Sequence, residues 1–124
     1  MEGTSDERTL YDASDRLLEW LLELNSDQNR DLVLLSILAS LEVRPTRVLL
    51  GALADSEICV ENRSLMSKIA SLLFHKDKRL AQMAASCLLV TCGDEGRDLV
   101  SDSLKQVPPP PHGKLVAGMV SLIS

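Results

Sequence analysis

The side chains able to do chemistry are few in this sequence: the histidines His75 and His112, the cysteines Cys59, Cys87 and Cys92, and scattered carboxylates. A zinc site would have to draw on His75, Cys87, Cys92 and His112, since imidazole and thiolate are the ligands zinc prefers. Cys87 and Cys92 stand five residues apart and so fall on different sides of a helix, and neither a metal nor a cofactor is expected. Cys87 reads instead as a small apolar core residue. The carboxylate pairs Asp12/Asp15 and Asp94/Glu95 lie near helix starts, where negative charge offsets the helix dipole without any catalytic duty. No GxSxG elbow, GxGxxG or Walker-type phosphate loop, HExxH or CxxC occurs. The chain is therefore read as not an enzyme, with a small helical enzyme or metal protein as the alternative from that class.

Binding chemistry is better represented. Arg63, Lys68, Lys76, Lys78 and Arg79 form a cationic stretch that could hold an anion. It lacks the interleaved aromatics that stack bases, and it belongs to a chain of net charge −5, so no nucleic acid is expected. The stretch Val107-Pro108-Pro109-Pro110-Pro111-His112 has the extended geometry that aromatic-lined grooves accept at low entropic cost; it serves equally as a stiff connector between helices. Trp20, flanked by leucines, is expected to wedge into the core.

These residues must be positioned by helices. Of 124 residues, 24 are leucine and only Tyr11, Trp20 and Phe74 are aromatic, which disfavours strands. A chain of this length buries enough surface to fold as one domain without staples. Leu10, Ser14, Leu17, Leu18, Leu21 and Leu22 follow the spacing of one helical face. Residues 1–9 precede that face as a frayed acidic end. Asn25-Ser26-Asp27 offers a stop and a cap, and the dense apolar run from Leu32 to Leu41 predicts a central helix packed on several sides.

Pro45 suits the first turn of a third helix over 45–54. Asp55-Ser56 or Asn62 can cap a fourth, Asp77 a fifth that ends at Gly93, and Asp94 a sixth over 95–106. Residues 107–113 form the proline-rich connector. Residues 114–124 form an apolar terminal helix that could dock on another chain, a second copy included, or return to pack on this one; its want of a polar closing cap would suit a chain cut or descended from something longer.

The stretch Asp77-Lys78-Arg79-Leu80-Ala81-Gln82-Met83-Ala84-Ala85-Ser86-Cys87-Leu88-Leu89 resembles the inner helix of HEAT and armadillo repeats: a capping Asp, an aliphatic residue three later, a small pair and a leucine. Ala81 stands where that pattern commonly carries an arginine. Asp27 to Leu41 echoes it at an offset of 50. The resemblance implies an all-α fold of about seven short antiparallel helices stacked as an α-α superhelix, with an irregular helical bundle as the alternative. It also implies a non-catalytic protein-interaction scaffold, whose partner would meet polar positions of the fifth helix such as Arg79, Gln82 and Ser86. The cationic Lys76 and Lys78 and the prolines Pro108, Pro109, Pro110 and Pro111 are further candidate contacts.

Charge supports a second adaptor class. Residues 1–31 carry nine acids and three bases, a net of −6, which leaves +1 for the rest of the chain. An acidic end and a basic 63–79 stretch would suit homotypic pairing of the death-fold type. The acidic N-terminus is unlike a secretory or mitochondrial leader, and no apolar run reaches the length of a membrane span, so cytoplasm or nucleus is the expected location and no membrane partner is expected.

Overall fold

The computed structural model describes the backbone of residues 2–23, 27–56 and 59–123 and the side chains of 8–23, 29–56 and 59–122. Among the described residues the chain is all-α, with seven helices, a 3-10 turn and no strand. The helices are α1 (Glu2–Leu22), α2 (Asp27–Ser40), α3 (Val43–Asp55), α4 (Arg63–Ser71), α5 (Lys78–Thr91), α6 (Gly93–Leu104) and α7 (Gly113–Ile123), with the 3-10 turn at Leu72–Phe74. Residues 2–9, set apart from sequence as a frayed end, belong to α1; their acids lie in its first turns, where the helix dipole favours negative charge. Of the Asn25-Ser26-Asp27 stop, only the Asp27 backbone lies within the described residues.

The helix boundaries follow from local chemistry. Asn62 Oδ1 accepts the Leu65 N–H at 3.1 Å and Asp77 Oδ1 accepts the Leu80 N–H at 2.9 Å, so both cap as their residue type predicts. The 3-10 turn closes α4, and His75 Nδ1 accepts the Asp77 N–H at 3.0 Å in the tight link to α5. Gly93 has φ +58°, the left-handed conformation that lets α5 end and α6 begin with no intervening loop. Asp94 does not cap α6. The cap position is Cys92, whose side chain makes no capping bond, and Asp94 lies in the first turn, paired with Arg97 at 2.8 Å.

Packing places the helices in two rows. α1 packs on α3, α3 on α5 and α5 on α7, while α2 packs on α4 and α4 on α6; contacts of α4 with α5, α5 with α6 and α6 with α7 join the rows. α5 is the central helix, not α2. Its residues Leu80, Ala81, Ala84, Ala85, Cys87 and Leu88 are fully buried, and the three alanines let neighbouring backbones approach on more than one side. α2 lies at an edge, where Leu34 and Leu38 are buried but Leu32 is 48% exposed. Val33, Leu35 and Ile37 are half-buried against the core, so α2 is covered broadly and open on the side of Leu32. Trp20 is 53% exposed, so it is not a core wedge; the buried face of α1 is carried by Leu18 and Leu21.

Two close contacts hold the rows together. A Cβ added at Gly96 would stand 2.7 Å from Cys92 Cβ and 2.8 Å from the Leu88 carbonyl carbon, and would press on the Leu88 oxygen. The start of α6 therefore sits directly against the end of α5. On the other side Asp31, 1% exposed, reaches from α2 to accept the N–H groups of Glu61 at 3.0 Å and Asn62 at 2.8 Å. Arg30 donates to the Cys59 carbonyl at 3.0 Å, and the Val60 N–H donates to the Thr91 carbonyl at 3.2 Å. The stretch before α4 is thus hydrogen-bonded to both α2 and α5.

Candidate functional site: a groove along the odd-numbered helices

The row formed by α1, α3, α5 and α7 carries a trough. On α5, Arg79, Gln82, Met83 and Ser86 recur at the spacing of a single helical face, and they share a cavity of about 350 Å³ with Arg47 of α3 and Met119 of α7. A second depression of about 550 Å³ continues from Arg47 and Met83 toward α1, where Arg8, Tyr11 and Asp12 line it with Gly51 and Asp55 of α3. Arg47 and Met83 line both depressions, which makes them one groove.

Local structure explains its floor. Arg47 and Gly51 are four apart on α3 and share a face, and Gly51 has no side chain to cover Met83, whose thioether would lie 3.5 Å from a Cβ placed there. The Tyr11 hydroxyl donates to Asp55 Oδ2 at 2.9 Å, strapping α1 to α3 across the far end. That bond, with burial and the negative charge of Asp55 and Asp15, holds the phenol above its ordinary ionisation range. A flexible sulfur-lined floor flanked by guanidinium groups can seat aliphatic side chains while engaging carboxylates or carbonyls.

The structure brings together Arg79, Gln82 and Ser86. It leaves Lys76 and Lys78 exposed at the start of α5, outside the lining of the groove. Pro108, Pro109 and Pro111 are exposed, but Pro110 is buried, and its carbonyl accepts the Gly113 N–H at 3.1 Å. The proline run therefore bends and turns where an extended rod was expected. Packing of Pro110 and the start of α7 explains the difference. His112 Nε2 donates to the Lys76 carbonyl at 2.9 Å, tying this connector to the turn before α5.

The cationic stretch is also divided. Arg63 shares a separate groove of about 300 Å³ with Glu95, Asp98 and Asp102 of α6, whereas Arg79 faces α3 and α7. The 63–79 cations accordingly do not line one common groove. Sequence reasoning missed Arg8, Tyr11, Asp12, Arg47, Met83 and Met119. Met83 was signalled by its four-residue offset from Arg79, but the others depend on which helices become neighbours.

Cys87 is fully buried, and burial pushes its thiol up to about 12 despite the nearby Thr91 hydroxyl. Cys92 is raised by burial as well, and Cys59 is exposed. Among the described residues no three of His, Cys, Asp and Glu gather as a metal ion would require, and no helix is long and apolar enough to cross a membrane. No family model, curated protein or solved structure matches the chain.

Proposed function

We propose that this chain is a non-catalytic protein-interaction module, a HEAT- or armadillo-like α-α stack that receives a partner along its odd-numbered row. The observation that carries this reading is the continuity of the groove through Arg47 and Met83, which joins surface from four helices into one open trough. Packing of each helix on the next but one, in two rows, favours the superhelical arrangement over an irregular bundle. The buried thiol and the capping carboxylates serve the fold, and polar and apolar groups from four helices converge in the groove.

Site-specific photocrosslinking tests the reading. A benzophenone amino acid at Gln82, inside the groove, is compared with one at Asp102, on the opposite row, in cells that express the full chain. Partner adducts at Gln82 that vanish with Arg79→Glu support it; equal adducts at both positions refute it. Leu122 of α7, 86% exposed on an otherwise apolar helix, favours a second use in self-association. Light scattering of the wild type against Leu122→Glu tests that contact: a dimer that Leu122→Glu dissociates supports it, and a monomeric wild type removes it.

A further inference from the structure

We infer that the groove takes an extended acidic peptide segment carrying aliphatic side chains, an inference that rests on the proposed interaction reading and names the partner's chemistry. Length comes first. The trough passes over α1, α3, α5 and α7, and three helix-to-helix steps of about 9 Å make a path of roughly 27 Å. That is the span of about eight extended residues.

Charge along the groove is polarised. The α3–α5–α7 section holds Arg79 on α5 with no carboxylate in its lining, while Arg47 is shared with the depression that Asp12 and Asp55 line. Lys76 and Lys78, exposed just before Arg79 in the chain, carry further positive charge, and Asp77 between them is engaged as the cap of α5 through the Leu80 N–H. At the α1 end the acids Asp12 and Asp55 stand beside Arg8, and Asp55 is engaged by the Tyr11 hydroxyl. A local excess of cations within a chain of net charge −5 selects carboxylates by position, not by overall attraction.

The floor decides between acidic partners. Met83 and Met119 offer polarisable apolar surface that accommodates Leu, Ile or Met side chains, and the alternating faces of an extended segment would set aliphatic groups on the sulfurs and carboxylates against the arginines. A nucleic acid would need stacking surface. The groove offers only Tyr11, which is already held by Asp55.

The test is a selection from a display library of random peptides of about ten residues on the immobilised full chain. Enriched peptides are then titrated by fluorescence anisotropy against the wild type, Arg79→Glu and Gln82→Trp, whose folding is checked by thermal melting. The expected result is enrichment in Asp and Glu together with aliphatic residues. Affinity should fall about tenfold or more with Arg79→Glu, as for loss of a charge-assisted contact, and should weaken as salt rises. Neutral or basic peptides whose binding is lost with Gln82→Trp would overturn the acidic class and leave the groove as an interface. Peptides insensitive to Arg79 and Gln82 substitutions, or no enrichment at all, would overturn both readings. Arg79-dependent binding of a single-stranded oligothymidine of comparable affinity would also overturn the inference, in favour of nucleic acid.

Discussion

Replacing Gly96 by alanine probes the close approach of α6 to α5. The added methyl group would meet Cys92 Cβ at 2.7 Å and the Leu88 carbonyl carbon at 2.8 Å, and would crowd the Leu88 oxygen. Two of these atoms are backbone, so relief requires the start of α6 to move away from α5, the central helix of the stack. Overpacking of this kind costs about 3 kcal/mol or more. Alanine's better helix propensity returns about 1 kcal/mol, leaving a net loss of about 2 kcal/mol. Unfolding entropy scales with chain length, and for a domain of this size that loss lowers Tm by about 8 °C.

The matched control is Gly118→Ala in α7, where nothing lies within 4 Å of an added Cβ. There the propensity gain stands alone and Tm should hold or rise by a few degrees. Both melts are followed by far-UV circular dichroism on the full chain. An unchanged or higher Tm for Gly96→Ala would refute the close contact between α5 and α6, one of those that join the two rows.

Other outcomes follow from the buried polar groups and the caps. Asp31→Ala removes the acceptor of the Glu61 and Asn62 N–H groups and leaves Arg30 poorly compensated in a buried site, so denaturant titration should register a loss of about 3 kcal/mol. Asn62→Ala and Asp77→Ala each delete one cap bond and should each cost about 1 kcal/mol in the same titration, less for glycine than for alanine. Cys87 binds its proton more tightly folded than unfolded, so its contribution to stability is intact below pH 9.0 and is lost as pH rises toward about 12. Melting temperature across that alkaline range should fall less steeply in Cys87→Ala than in the wild type. Thiol alkylation under native conditions should modify Cys59 well before Cys87.

Much of the local structure was legible in the sequence because it depends on neighbours a few residues away. Asn62, Asp77 and Gly93 act at helix ends as their types predict, and the leucine spacing located the helices to within a few residues, except the start of α1, which lies eight residues before Leu10. What sequence did not reveal depends on the stack. A run as apolar as Leu32 to Leu41 resembles a central helix, but α2 lies at an edge with Leu32 exposed. The less conspicuous α5 became central because its alanines admit neighbours at close range. Trp20 was expected inside from its flanking leucines, although the α1 turn that faces α3 is filled by Leu18 and Leu21. Within the groove, Arg79, Gln82 and Ser86 could be placed on one face of α5, while Arg47, Met119 and Tyr11 arrive from helices whose adjacency no local pattern encodes.

The carboxylate of Asp31 also bears on how the molecule opens. In a simple linear array each unit would detach from its end, one after another. Here a side chain from the second helix holds two amides at the threshold of the fourth, and the same short stretch is bonded to the end of the fifth. Detaching α2 would break the bonds at Glu61 and Asn62 and loosen the cap that starts α4. Slow hydrogen exchange should therefore group the amides of Glu61 and Asn62 with α2 in one cooperative unit, making this side of the stack a latch that opens as a whole.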